Sequence, residues 1–217
     1  MRLFVNLKFK DVLISVGIGI IFMLGALLIQ LIIDQIPEII ILVDHHYNIS
    51  YLIKNIKTIE IKNAIIYSIY LGMAAGFIQE GFTYFAISIK PEKMAFFIGI
   101  GFSAVDIAVI FIEDFNNLSG FLLILIILNI ISSLLFHPGT ATFMKFGKLS
   151  GHGIMTYITS SILHTSIDGS LVYTDIYILT HIKQYIISTE LFWAFTMVIS
   201  ISIFLIGILK LNSLIRD

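Results

Sequence analysis

The chain has 217 residues, of which 58% are hydrophobic and only 12% are charged, and its mean hydropathy is +1.01. Because soluble domains carry about 25% charged residues, this composition excludes an ordinary soluble protein and predicts one integral membrane domain, 1-217, of all-α, polytopic architecture. The net charge of −1 does not suggest a nucleic-acid partner, and the absence of cysteine excludes disulfides, thiolate metal sites and cysteine nucleophiles.

Six apolar segments predict six membrane-spanning helices, because an α-helix needs about 20 apolar residues to cross a bilayer. The first segment exceeds the ~7–15-residue core of a signal peptide and no small-residue cleavage pattern follows it, so we expect a retained signal anchor. The second contains Gly72 and Gly76, a small-residue spacing that lets two helices approach closely. The predicted spans cover residues 12-33, 61-89, 94-112, 121-137, 154-173 and 190-209.

Two polar stretches separate these spans. Residues 34-60 form the longest one, and the apolar residues 39-43 within it are far fewer than the ~20 that a span needs. We therefore expect a surface lip or a re-entrant turn there. A second polar turn is predicted over 113-120, between the third and fourth spans.

The distribution of lysine and arginine predicts that both termini lie in the cytoplasm. In a six-span topology both termini fall on one side of the membrane, and cytoplasmic loops carry an excess of Lys and Arg. Nine of the 13 basic residues lie on the side of the termini and four lie on the other. The four are Lys54, Lys57, Lys62 and Lys183.

Five ionisable side chains interrupt the apolar spans. A carboxylate within a bilayer costs roughly 2.5–3.5 kcal/mol on insertion scales, and such residues mark a functional site by default. Single polar residues in spans also serve as structural hydrogen-bonding groups between helices. The five are Glu80 in the second span, Asp106 in the third, His137 at the end of the fourth, and His164 and Asp168 in the fifth.

Helix geometry predicts that these groups share one layer of the bundle. At ~1.5 Å per residue, Glu80 lies roughly 13 Å from its cytoplasmic end, Asp106 roughly 18 Å and His164 roughly 15 Å. His164 and Asp168 are four residues apart and so share a helix face, where Asp168 can orient the imidazole or bind the same water or metal. We expect His137 to border this layer on the cytoplasmic side.

Such a cluster suits water activation. A buried Glu near a His can act as a general base on a water in a polar cavity, so Glu80 would activate the water and His137 or His164 would hold the oxyanion. The alternative is a divalent ion such as zinc, held by Glu80, His137, His164 and Asp168, whose bound water attacks. No His-Glu-x-x-His motif supports the metal version.

The order of these motifs resembles a known enzyme family. Gln79-Glu80 near the end of one span precedes Asp106 in a glycine-rich span, then His137, and finally the pair four residues apart in the fifth span. This order is similar to that of the YhfC-type membrane peptidases, relatives of PrsW, the CAAX prenyl proteases and the bacteriocin-processing enzymes, which are glutamate-dependent intramembrane proteases. The resemblance covers about residues 71-173. It implies that Glu80 is the base and that Asp106, His137, His164 and Asp168 support it.

Three departures accompany the resemblance. Gln79 replaces the first glutamate of the family's usual pair, no basic residue follows within residues 83-85, and Asp106 replaces what is commonly a glutamate. Gln79 can hydrogen-bond but cannot act as a second base.

The sequence favours an intramembrane endopeptidase or protease-like protein that cleaves a membrane-associated peptide or protein. A non-catalytic pseudoprotease or immunity-type scaffold is the alternative, followed by a proton-coupled carrier, since intramembrane acids and histidines also serve proton relays. Inverted repeats in the sequence would support a carrier, and we find none.

Overall fold

The computed structural model describes residues 2–114 and 120–215 of the chain. Over these ranges the secondary structure is helical without a strand, so the predicted all-α fold is confirmed. The α-helices, in chain order, are α1 (Phe9–Asp34), α2 (Ile36–Asp44), α3 (Ile49–Lys62), α4 (Ala64–Ala86), α5 (Ala95–Asp114), α6 (Gly120–Leu149), α7 (Gly153–Thr180) and α8 (Tyr185–Leu214).

The apolar helices form a membrane-embedded bundle, in which four or five candidate spans stand beside the six that the sequence predicts. Four helical segments in the described ranges are long and apolar enough to cross a bilayer, and α3 with α4, bent by 94° at their junction, count as a fifth if they form one broken span. α7 has 28 residues but is not among them. It carries buried serine, threonine and histidine side chains, which lower its apolar content. The four segments are Phe9–Asp44, Glu92–Ile112, Leu123–Leu149 and Ile182–Leu214.

The polar stretch 34-60, expected to be a lip or turn, consists mainly of two helices. Pro37 lies in the first turn of α2, where a missing N–H removes no helical hydrogen bond. Asn48 caps α3 by accepting a hydrogen bond from the backbone N–H of Tyr51 at 2.9 Å. The other predicted turn, 113-120, falls largely on residues 115–119, which lie outside the described residues.

α6 corrects the prediction that a span ends at His137. The helix continues through Pro138 to Leu149, which places His137 in the helix interior. Pro138 has no N–H to donate to the carbonyl of Leu134, and a proline at such a position usually kinks or breaks a helix. Here tight packing on both sides holds the segment helical, since α5 contacts Pro138 and α8 contacts Gly139.

The predicted close approach at Gly72 and Gly76 is confirmed, and it joins α4 to α7. A Cβ atom on Gly72 would lie 2.7 Å from the Cα of Gly169, and one on Gly76 would lie 2.6 Å from the carbonyl oxygen of Ser161. Only glycine lets the two backbones come this close. Glu80 lies one turn beyond Gly76 on α4, so this contact brings it to α7.

Two further glycines fix α6 between α5 and α8. A Cβ atom on Gly99 of α5 would lie 2.6 Å from the carbonyl oxygen of His137. A Cβ atom on Gly139 would lie 2.7 Å from the backbone nitrogen of Phe204 in α8. The α5–α6 contact sets the positions of Asp106 and His137 relative to each other.

Two lysines of α6 bind the carbonyl groups at the C-terminal end of α4. Lys145, only 8% exposed, donates to the carbonyls of Ile87 and Lys90 at 2.8 and 2.7 Å. Lys148 donates to the carbonyl of Tyr84 at 2.8 Å. Cations are favourable at a helix C-terminus because they balance its unpaired carbonyls, so these contacts hold the Glu80 end of α4 against α6.

Both ends of the chain lie at the same end of the bundle. The backbone N–H of Leu3 donates to Oδ1 of Asn212 at 3.1 Å, and Nζ of Lys93 donates to the carbonyl of Val5 at 3.2 Å. That this end faces the cytoplasm stays a prediction from the distribution of basic residues.

Candidate functional site

Glu80 and His164 form a buried pair where α4 meets α7. Glu80 is fully buried, and its Oε1 lies 3.0 Å from Nδ1 of His164. The same oxygen accepts a hydrogen bond from the hydroxyl of Thr140 at 3.3 Å. A buried carboxylate that lacked such partners would carry a large desolvation cost, so the pair accounts for how Glu80 is accommodated inside the bundle.

Asp168 extends this pair along α7. Its Oδ2 lies 3.4 Å from Nε2 of His164, which is the geometry expected from their spacing of four residues. Both ring nitrogens of His164 therefore face a carboxylate, Glu80 on one side and Asp168 on the other. Asp168 remains 30% exposed, whereas Glu80 has no exposed surface.

A second pair joins α5 to α6. Nε2 of His137 lies 2.7 Å from Oδ2 of Asp106, and the hydroxyl of Ser133 donates to the same oxygen at 3.1 Å. Ser133 in turn receives, at its carbonyl, a hydrogen bond from the hydroxyl of Ser103 at 2.7 Å. These contacts fix the His137 imidazole by one ring nitrogen.

The two pairs belong to one cluster. The imidazole rings of His137 and His164 are 5.4 Å apart between centroids, and the ring of Phe136 packs edge-on against His164 at 4.9 Å. All five predicted residues therefore meet where α4, α5, α6 and α7 come together. Thr140 and Ser133 were missed by the sequence reasoning, although both lie three or four residues from His137 and so share its helix face.

Gln79 does not belong to this cluster. Its Nε2 donates to Oε1 of Gln30 in α1 at 2.9 Å, because successive residues on a helix point about 100° apart. The predicted supporting role of Gln79 beside Glu80 is therefore corrected: this side chain links α4 to α1.

A small polar cavity lies beside the cluster. Its volume is about 60 Å³, which holds one or two waters at about 30 Å³ each. Glu80 is not in the cavity wall and reaches it only through His164. The polar wall includes Asp106, Ser133, His137, His164 and Asp168.

Two buried atoms of the cluster have no hydrogen-bond partner among the described residues. They are Oε2 of Glu80 and Nδ1 of His137. Buried polar atoms are nearly always paired in folded proteins. Of the two residues, only His137 lines the cavity, so its Nδ1 suits a contact with water or a ligand.

The cluster does not fit the zinc alternative proposed for Glu80, His137, His164 and Asp168. Among residues 2–114 and 120–215, no three His, Asp or Glu side chains are arranged to hold a metal ion. Both nitrogens of His164 already face carboxylates, and Nε2 of His137 faces Asp106. The donor set is one of acid–imidazole pairs.

Comparison with protein-family models, with curated proteins and with solved structures finds no match for this chain.

Proposed function

We propose that this protein is an intramembrane endopeptidase of the YhfC-like, glutamate-dependent kind, which hydrolyses a membrane-associated peptide with water held in the cavity beside His164. The observation that carries the proposal is the chain Glu80–His164–Asp168 at that cavity. Glu80 holds the imidazole by Nδ1, whereas Asp168 lies 3.4 Å from Nε2, too far for a strong hydrogen bond, so a cavity water can exchange a proton with Nε2 beside Asp168.

The reaction would proceed as a simple hydrolysis. The cavity water attacks the carbonyl carbon of the peptide bond, and its proton passes to Nε2 of His164. Glu80 stabilises the imidazolium from the Nδ1 side, so it activates water through His164. His164 then gives the proton to the leaving nitrogen, which yields a carboxylic acid and an amine.

His137 would stabilise the oxyanion formed in this step. Asp106 binds the Nε2 side of its ring, so a protonated His137 has its Nδ1–H free to donate. Donors aimed at developing negative charge in a dry site commonly contribute 100- to 1,000-fold, about 2.7–4 kcal/mol, to such reactions. Asp106 acts as the orienting group of this ring.

Hydrolysis in ¹⁸O-labelled water tests the proposed reaction. The purified protein in lipid nanodiscs is incubated with a membrane-peptide library, and the products are read by mass spectrometry. We expect new peptide ends whose carboxyl group contains one ¹⁸O atom. Intact peptides after full incubation would reject the proposal and favour the scaffold or the carrier.

The scaffold alternative is supported by one observation. Glu80 is fully buried and does not line the cavity, which also suits an ion pair that only stabilises the bundle. A scaffold would retain its fold without cleaving any member of the library. The labelled-water experiment therefore separates the two functions.

The substitution Gln79→Glu tests how the site tolerates the departure from the family pattern. We expect the cleavage rate to change by less than about twofold, because side chain 79 points to Gln30 and away from His164. The measurement is the initial rate in the same cleavage assay. A gain of tenfold or more would mean that position 79 reaches the reacting water, in conflict with its contact to Gln30.

A further inference from the structure

A larger cavity adjoins the small one on the side away from the chain termini. Its volume is about 310 Å³ and it lies between α6, α7 and α8. A volume near 300 Å³ is typical of a ligand pocket, and polar and apolar side chains share its wall about equally. Its wall includes Asn129, Asp175, Tyr185 and Trp193.

The two cavities follow the same helix faces. Asn129 of α6 lines both. On α7, Asp168 lines the small cavity, and Asp175, two turns further along the helix, lines the larger one. A peptide lying along this groove would therefore pass from the larger cavity to His164.

The larger cavity carries an unbalanced negative charge next to aromatic rings. Within the described part of the chain, Asp175 makes no ion pair and no side-chain hydrogen bond. Tyr185 and Trp193 line the same cavity. Aromatic faces attract organic cations, more so where water is partly excluded, and a carboxylate adds a charge-assisted hydrogen bond.

We infer that this cavity binds the Lys or Arg side chain of the peptide substrate. The inference rests on the proposed function and names its substrate class. Seven residues of α7 separate Asp168 from Asp175, roughly 10 Å at ~1.5 Å per residue. An extended peptide covers that distance in about three residues at ~3.3 Å each, so the basic residue lies about three residues from the bond that is cleaved.

The single tryptophan of the chain provides a direct measurement. Trp193 lines the cavity and is the only tryptophan in the sequence, so its fluorescence responds to a bound cation. Because Trp193 also lines a neighbouring cavity that contains Glu190, the Asp175→Asn variant assigns the signal to this cavity. The probe is n-butylguanidinium, titrated into the protein in phosphatidylglycerol nanodiscs, with the neutral analogue n-butylurea as control. We expect a saturable change with the cation alone, the same affinity in Glu80→Gln, and at least tenfold weaker binding in Asp175→Asn.

Matched controls decide between the outcomes. Asp44→Asn removes an exposed carboxylate outside the cavity and should bind like the wild type. Equal titrations with n-butylurea, or in Asp175→Asn, would overturn the inference. Phosphatidylethanolamine and phosphatidylcholine, mixed in equal fractions into the phosphatidylglycerol nanodiscs, dilute the surface charge equally. Weaker probe binding with phosphatidylethanolamine alone would also overturn the inference, because a lipid amine would then be the occupant.

A peptide-cleavage experiment distinguishes a failure of this inference from a failure of the proposed function. Peptides with arginine or neutral citrulline three residues from the cleaved bond are compared in wild type and Asp175→Asn. We expect the wild type alone to prefer arginine, at least tenfold. If the wild type cleaves the arginine and citrulline peptides equally well, the cation site is overturned and the proposed hydrolysis stands. If neither peptide is cleaved but n-butylguanidinium still binds saturably and depends on Asp175, the proposed hydrolysis is overturned and the cation site is supported.

Discussion

Glu80→Gln is expected to lower the rate of peptide hydrolysis about 100- to 10,000-fold, the range in which general acid–base catalysis contributes. The amide keeps the shape of the carboxylate and can still hydrogen-bond to Nδ1 of His164. It removes the negative charge that would stabilise the imidazolium when His164 takes the proton from water. The measurement is kcat for a cleaved peptide in nanodiscs.

Two controls make this result specific. Glu60→Gln makes the same chemical change on α3, away from the cluster, and should leave kcat unchanged. The n-butylguanidinium affinity of Glu80→Gln should match that of the wild type, because residue 80 does not line the larger cavity. The thermal midpoint is measured alongside, and kcat is calculated per folded protein, because removing one partner of a buried pair lowers stability. Wild-type kcat in Glu80→Gln would show that Glu80 has no role in water activation. A loss of kcat that only follows a loss of folded protein would assign it a structural role.

Gly76→Val is expected to prevent formation of the Glu80–His164 pair and to destabilise the bundle. A Cβ atom at this position would lie 2.6 Å from the carbonyl oxygen of Ser161. Overpacking a core usually costs about 1–3 kcal/mol, and we expect the upper part of that range or more because the clash is with backbone. The measurement is the thermal midpoint followed by size-exclusion chromatography of the detergent-solubilised protein.

Gly17→Val is the matched control for this substitution. A Cβ atom on Gly17, in α1, would have no heavy atom of another part of the chain within 4 Å. We expect a far smaller change in the thermal midpoint, because the added side chain meets no packed backbone and valine has a higher helix propensity than glycine. Equal destabilisation by the two substitutions would mean that close packing at Gly76 does not hold α4 against α7.

Much of the site could be predicted from the sequence because helix geometry is local. The spacing of four residues between His164 and Asp168 fixes their shared face wherever α7 packs. The cost of burying Glu80 in an apolar span requires partners for it. The depths estimated from the span ends indicated a common layer, and the five residues do meet. The small-residue spacing in α4 also indicated a close helix contact, although it did not indicate with which helix.

Other features depended on contacts between helices. Asp106 pairs with His137, and Glu80 pairs with His164, although either histidine could be matched to either acid from the sequence. Gln79 faces α1 although it adjoins Glu80 in the chain. The larger cavity at Asp175 also arises only where α6, α7 and α8 come together.

By itself, the sequence determined a helical membrane protein, the ionisable residues inside it and the faces of the helices on which they lie. Only the tertiary structure decided that α6 continues through Pro138, which acid meets which histidine, and that Glu80 lies behind His164 and away from the cavity. The physical reason is that residue spacing sets the direction of a side chain about its own helix axis. The rotation of each helix against its neighbours is set by backbone contacts at glycines such as Gly76 and Gly99, which form between segments far apart in the chain.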